Sequence, residues 1–261
     1  MSTPVTSPEA HLPQAHSMTA QWSDFLGFLK RPRLPEKAAG IDSQSITGTF
    51  RMLALDFILV GLLLALLFTA MALGLEIPET ALADMELTAG LIALVVIGAP
   101  LGEELVFRSW LSGRPGHVLA MLAVIIGALA IPLVAGMTGA TNPDDTGIFL
   151  FAGLGFMVGL ALAGFALWYF RNRGPWRWFA AAFPVILFLS ALGFASVHLA
   201  NYEEEISPLL WLLVLPQFIL GLICAYVRVK FGLWSAILVH ALHNGTIMAI
   251  VVAADGAGLG G

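Results

Sequence analysis

The stretch TAGLIALVVIGAPLGEELVFRSW, residues 88–110, decides the fold class of this chain. No charged side chain occurs before Glu103, and the stretch then carries Glu103, Glu104 and, one helical turn later, Arg108. A bilayer core of ~30 Å needs about 20 helical residues per crossing, so the stretch is long enough to span a membrane. Ionisable groups are costly inside lipid, and their presence here indicates a functional or structural partner.

The whole chain has the composition of an integral membrane protein. Of its 261 residues, 59% are hydrophobic and 11% are charged, and the mean hydropathy is +0.89. A soluble domain of this length could not bury so much apolar surface. We therefore predict an all-α, polytopic transmembrane bundle of about seven spans. The candidate spans are residues 50–73, 88–110, 117–138, 147–170, 178–200, 208–228 and 232–253.

Proline and glycine within these spans favour a packed bundle over separate crossings. Gly155 and Gly159 lie four residues apart in the fourth span, a spacing that lets a neighbouring helix approach closely. Prolines interrupt several spans, which is tolerated where neighbouring helices satisfy the freed backbone groups. These prolines are Pro100, Pro132, Pro184 and Pro216.

The charges outside the spans predict the orientation. All twelve basic residues precede or begin the first span, or lie at or just beyond the ends of the second, fourth and sixth spans, whereas acidic residues occupy the alternate loops. The positive-inside rule then places the N-terminus in the cytoplasm of a multi-pass protein of the inner (plasma) membrane. The bilayer is the expected environment, and no nucleic-acid partner is expected. The acidic loops contain Glu76, Glu79, Asp84 and Glu86, then Asp144 and Asp145, then Glu203, Glu204 and Glu205.

The ends of the chain differ from the bundle. Residues 1–49 are predicted to form a flexible tail followed by a membrane-surface anchor, in which WSDFLGFLKRPRLP could form a short interfacial helix. Residues 50–253 form the bundle, and residues 254–261 a short tail. The single cysteine, Cys224, has no partner for a disulfide and is interpreted as a packing residue.

The first polar motif within a span is GEELVFR, residues 102–108. Positions four apart share a helix face, so Glu104 lies against Arg108 while Glu103 points about 100° away. This arrangement favours two roles, with Glu104 as a paired orienting group and Glu103 as the group that transfers protons. The alternative is a helix end at which Glu and Arg extend into the headgroups.

Two further motifs contribute histidine. In HALHNG, residues 240–245, His240 and Asn244 share a face and could stabilise a developing oxyanion, or they could simply satisfy each other. In FASVH, Phe194 lies four residues before His198, which alone could be a hydrogen-bonded structural residue. Three such motifs on separate helices favour one site, whose polar atoms we expect within about 10 Å of each other.

These motifs resemble the EExxxR, FxxxH and HxxxN motifs of the CPBP family of intramembrane proteases, which includes CAAX prenyl endopeptidases and Abi bacteriocin-immunity proteins. The resemblance covers residues 87–250 and implies an endopeptidase that cleaves a membrane-associated peptide or protein. It implies that Glu103 and His198 activate water and that His240 and Asn244 bind the scissile carbonyl oxygen. Glu104 and Arg108 would orient the site, with Phe194 in support.

Two questions stay open at this level. Two histidines and two glutamates occupy motif positions, and a zinc or other divalent ion could be bound by Glu103, His198 and His240. No HExxH helix is present, and we favour a metal-free reaction. A catalytically silent scaffold or immunity-type protein of the same fold is the main alternative. A transporter fits less well, because Asp56 is the only carboxylate or imidazole well inside a predicted span that does not belong to the three motifs. Residues 117–170 are predicted to form an additional helical hairpin outside the site.

Overall fold

The computed structural model describes residues 17–78, 80–81, 85–138, 146–202 and 206–256. Helices account for 81% of the chain and no strand occurs in these ranges, which confirms the predicted all-α polytopic bundle. Several predictions concern residues outside the described ranges. They are the N-terminal tail up to residue 16, the acidic residues Glu79, Asp84, Asp144, Asp145 and Glu203 to Glu205, and the end of the C-terminal tail, residues 257–261.

The described residues form ten α-helices. A π-helical turn, Leu94–Gly98, joins α3 to α4, and short 3-10 turns, Ser109–Ser112 and His198–Asn201, follow α4 and α7. The helices are α1 Met18–Lys30, α2 Ser43–Ala72, α3 Ala89–Ala93, α4 Ala99–Arg108, α5 Pro115–Thr138, α6 Thr146–Tyr169, α7 Arg177–Val197, α8 Pro208–Leu213, α9 Leu215–Lys230 and α10 Leu233–Gly256.

Within the part of the chain that the structure describes, four helical segments are long and apolar enough to cross a membrane. They are Ser43–Ala72, Ala89–Ser112, Arg177–Asn201 and Leu233–Ala253, and α5 and α6 contain shorter apolar stretches. On α2, Leu62, Leu66 and Phe68 are each more than 60% exposed, as expected of side chains that face lipid.

The sixth predicted span, residues 208–228, consists of two helices. The helix is interrupted at Val214, between α8 and α9, and Pro216 lies in the first turn of α9. Proline suits this position because its missing N–H is not needed at a helix start. The interruption expected at Pro216 is therefore a complete break. Pro184, in contrast, lies within a continuous α7.

The chain divides into two compact units, Met1–Arg108 with Ala182–Gly261, and Ser109–Ala181. In the second unit, α5 and α6 pack antiparallel at close range. A Cβ placed on Gly159 would lie 2.7 Å from the backbone oxygen of Ala123 and 3.1 Å from the Cα of Gly127. The close helix approach predicted from Gly155 and Gly159 is confirmed.

In the first unit, the contacts between helices define their directions. The hydroxyls of Thr49 and Ser235 lie 2.7 Å apart, and Asp56 contacts His243 about two turns later in both helices. The helices α2 and α10 therefore run parallel. In contrast, α4 and α7 run antiparallel, because Ser190 donates to the carbonyl of Phe107 while the later His198 lies near the earlier Glu103. These directions agree with the predicted order of crossings.

The segment predicted as a surface helix is helical in α1, which packs against other helices of the first unit. Phe25 and Phe28 are buried, with ring centroids 5.2 and 5.3 Å from that of Tyr226 on α9. Trp22 donates its indole N–H to the carbonyl of Arg51, 2.9 Å away. Leu26, on the outer face, stays 57% exposed. One apolar face of α1 therefore packs in the bundle, and the opposite face exposes the apolar side chain of Leu26.

Candidate functional site

The three motif helices bring a carboxylate and two imidazoles together. Oε2 of Glu103 on α4 lies 3.9 Å from Nε2 of His198 and 3.7 Å from Nε2 of His240. These separations are far below the ~10 Å limit set from the chemistry of the proposed site. The Glu103 side chain is 30% exposed, but its Oε2 is buried and makes no hydrogen bond with the described residues.

Glu104 is buried and contacts an arginine on one side and a histidine on the other. Its Oε1 lies 3.2 Å from an Nη atom of Arg108 on the same helix and 2.9 Å from Nδ1 of His240 on α10. The side chains of Glu104 and Arg108 are both 0% exposed. This pair therefore does not extend into the headgroups. It links the first motif to the third inside the bundle.

Phe194 explains the aromatic position of the second motif. The guanidinium carbon of Arg108 lies 3.9 Å from the centre of its ring, close enough for a cation–π interaction. The rings of His198 and His240 meet Phe194 edge to face, with centroids 4.7 and 5.4 Å away. Gly221 on α9 allows close packing on this cluster, since a Cβ there would lie 3.3 Å from the Phe194 ring. Phe194 thus positions groups from all three motifs.

The hydrogen bonds of the two histidines determine which nitrogen faces Glu103. Nδ1 of His198 lies 2.8 Å from the carbonyl oxygen of Phe194, which can only accept, so Nδ1 carries the hydrogen. Nδ1 of His240 likewise donates to the Glu104 carboxylate. In the neutral form of each ring, Nε2 is then an acceptor that faces another acceptor, Oε2 of Glu103. At 3.9 and 3.7 Å, neither contact with Oε2 of Glu103 is a hydrogen bond.

Asn244 is held by an irregularity in the second span. The N–H of Ala99 donates to the carbonyl of Leu94, as in a π-turn, and Pro100 has no N–H to offer to the carbonyl of Val95. The side-chain amide of Asn244 donates to that Val95 oxygen at 2.9 Å. His240 and Asn244 therefore do not satisfy each other, because each has a separate partner near α4.

A second buried acid–histidine pair was not assigned from the sequence. Asp56 on α2 is 0% exposed, and its Oδ2 lies 2.6 Å from Nδ1 of His243. Arg228 was also missed, and its Nε donates to the backbone carbonyl of Arg108 at 3.0 Å. The signal for Asp56 was its position within a predicted span, where an isolated carboxylate is costly. Its partner could not be identified because the two residues are 187 positions apart.

The arrangement of the acceptors also bears on the metal hypothesis. Among the described residues, no group of three or more His, Cys, Asp or Glu side chains is arranged to hold a metal ion. Zinc bonds of ~2.05 Å in a tetrahedral site put donor atoms about 3.4 Å apart. The distances from Glu103 to His198 and His240, 3.9 and 3.7 Å, are wider. As placed, these side chains do not fit a zinc ion.

Comparison with known protein families gives a match that covers the same three motifs. The family model described as Type II CAAX prenyl endopeptidase Rce1-like matches residues 85–246, a range that contains all three motifs. The match confirms the resemblance to the CPBP intramembrane proteases. No curated protein and no solved structure gives a significant match to the chain.

Proposed function

The chain belongs to the Type II CAAX prenyl endopeptidase Rce1-like family, and on this premise we propose that it is an active intramembrane endopeptidase. Its substrate is a membrane-tethered or amphipathic peptide or protein, and a water molecule cleaves the peptide bond. The observation that carries the proposal is the convergence of His198 and His240 on Oε2 of Glu103.

Glu103 is the general base in this proposal. Its carboxylate takes a proton from water while the water oxygen attacks the carbonyl carbon, and later gives that proton to the leaving amine nitrogen. His198 orients the same water, because its Nε2 is an acceptor when Nδ1 donates to Phe194. The exposed part of the Glu103 side chain is the route by which water and peptide reach its buried Oε2 in this proposal.

His240 and Asn244 stabilise the tetrahedral oxyanion. A doubly protonated His240 donates through Nε2 while its Nδ1 stays bound to Glu104. Two cations, Arg108 and His240, then balance two carboxylates, Glu103 and Glu104, in the buried cluster. Asn244 contributes its second amide hydrogen, since the first is bound to the carbonyl of Val95.

Arg108, Glu104 and Phe194 hold this arrangement and take no part in bond making. The guanidinium fixes Glu104, Glu104 fixes the ring of His240, and Phe194 packs against both histidines. Preorganised donors of this kind lower the barrier because they need not reorient during the reaction.

We place the protein in the inner membrane with its basic loops in the cytoplasm. This orientation rests on the segregation of the charges along the chain. A catalytically silent scaffold of the same fold is the alternative that the following experiment addresses.

Quantitative proteomics of membrane-protein termini tests the proposal directly. Cells that express the wild-type chain should contain new termini that are missing with Glu103→Ala. Glu86→Ala, which removes an exposed carboxylate from a loop before α3, is the matched control and should preserve the wild-type pattern. Identical termini in all three samples, at equal protein levels, would favour the silent scaffold.

A further inference from the structure

A cleft with both charged and apolar walls lies between the surface helix α1 and the end of α9, outside the proposed catalytic cluster. It has a volume of about 410 Å³. Its polar lining includes Ser23, Arg31 and Arg33, and its apolar lining includes Phe28 and Val229. None of the three sequence motifs contributes to it. The cleft therefore needs an explanation separate from peptide hydrolysis.

The charges within the cleft are not balanced. The buried ammonium group of Lys230 pairs with Asp24, which also accepts a hydrogen bond from the hydroxyl of Tyr226 at 2.6 Å. Asp24 is thus occupied by groups on α9. The side chains of Arg31 and Arg33 are exposed, and no ion pair joins either of them to another described residue. Two guanidinium groups in the cleft are left without a compensating carboxylate.

The position of the cleft along the bundle indicates which anion it meets. α9 ends at Lys230 and α10 begins at Leu233, so the cleft lies where two helices of the bundle turn. The exposed Leu26 on the outer face of α1 suits insertion into the lipid boundary. Basic pockets at this level are within reach of phospholipid headgroups.

We propose that this cleft binds the headgroup of an anionic phospholipid. Arg31 and Arg33 donate paired N–H bonds to the phosphodiester oxygens, a geometry for which the planar guanidinium is well suited. The hydroxyl of Ser23 is a further donor, and Phe28 and Val229 contact the carbon atoms next to the phosphate. Because the two guanidinium charges are uncompensated, a headgroup with net negative charge binds more strongly than a zwitterionic one.

The test measures lipid retention by the purified full-length chain, and it does not depend on protease activity. The chain is placed in nanodiscs that contain phosphatidylcholine and phosphatidylglycerol. Native mass spectrometry then counts the lipids that stay bound to the protein after it is released from the nanodisc. The wild type should retain phosphatidylglycerol selectively. R31Q/R33Q should reduce that selectivity about 30-fold, which corresponds to ~1 kcal/mol for each basic side chain near a lipid surface. Arg33→Gln alone should reduce it about fivefold.

A charge-matched control separates a site from general attraction. R173Q/R177Q removes two exposed positive charges from the second unit and should leave the selectivity unchanged. Equal losses in both double variants, or full selectivity in R31Q/R33Q, would overturn the proposal. Inorganic phosphate provides the last arm. If inorganic phosphate displaces phosphatidylglycerol as effectively as an added anionic lipid does, the site binds free phosphate and the lipid assignment is wrong.

Discussion

Nδ1 of His240 lies 2.9 Å from Oε1 of the buried Glu104. This contact joins α10 to α4 across 136 residues of sequence and is continued by the pairing of Glu104 with Arg108. A carboxylate bound to one nitrogen of an imidazole fixes the direction of the other nitrogen, which here faces Glu103. The first and third motifs therefore form one structural group.

Removal of Arg108 should be strongly destabilising. Arg108→Ala leaves the carboxylate of Glu104 buried without the guanidinium that pairs with it, a change that typically costs about 3–5 kcal/mol. Arg173→Ala, which removes an exposed arginine, should change stability by less than about 0.5 kcal/mol. Thermal unfolding of both variants in the same detergent measures the difference. Equal midpoints would show that the buried ion pair contributes little.

The pair formed by Asp56 and His243 should act as a structural link between α2 and α10. Asp56→Ala removes the acceptor of His243 and should cost about 1–2 kcal/mol, whereas Asp56→Asn keeps an acceptor and should cost less. A double-mutant cycle with His243→Ala measures the coupling by thermal unfolding. Additive effects of Asp56→Ala and His243→Ala would contradict a direct interaction.

The local features of the site were predictable, but its assembly was not. Four-residue spacing predicted that Glu104 and Arg108 share a face, because helical periodicity alone fixes that relationship. The contact of Glu104 with His240 depends on which helices become neighbours, and periodicity does not determine this. To predict that the carbonyl of Val95 accepts a hydrogen bond from Asn244, one must know that a π-turn precedes Pro100. The burial of Phe25 on Tyr226 likewise depends on where α1 packs.

The packing of α5 against α6 should be sensitive to a single methyl group. Gly159→Ala would put a Cβ 2.7 Å from the backbone oxygen of Ala123, and we expect a loss of about 1–3 kcal/mol as the helices separate. Gly164→Ala is the control, because its added Cβ would have no atom within 4 Å apart from those of its chain neighbours and of its own helix backbone. Alanine favours helix over glycine by ~1 kcal/mol, so this control should be neutral or slightly stabilising. Thermal unfolding that ranks the two variants in the opposite order would contradict the close packing.

Metal removal should leave proteolysis unchanged. Glu103 lies farther from His198 and His240 than zinc ligands lie from each other, so we expect the purified enzyme to keep its rate after treatment with a strong chelator and gel filtration. The measurement is cleavage of a labelled membrane peptide before and after treatment. Loss of activity that is restored by added zinc, and not by magnesium, would require a metal in the mechanism.

The central claim is that Glu103 activates water for attack on a peptide bond. It is tested with purified protein in liposomes, a labelled substrate peptide and water enriched in heavy oxygen, with mass spectrometry of the new carboxyl terminus. The wild type should incorporate one heavy oxygen per cleavage. Glu103→Gln should lower the rate by about 10²–10⁴ at unchanged thermal stability, because the amide cannot accept the proton. Cleavage by Glu103→Gln at the wild-type rate, or a wild-type product without heavy oxygen, would contradict the account.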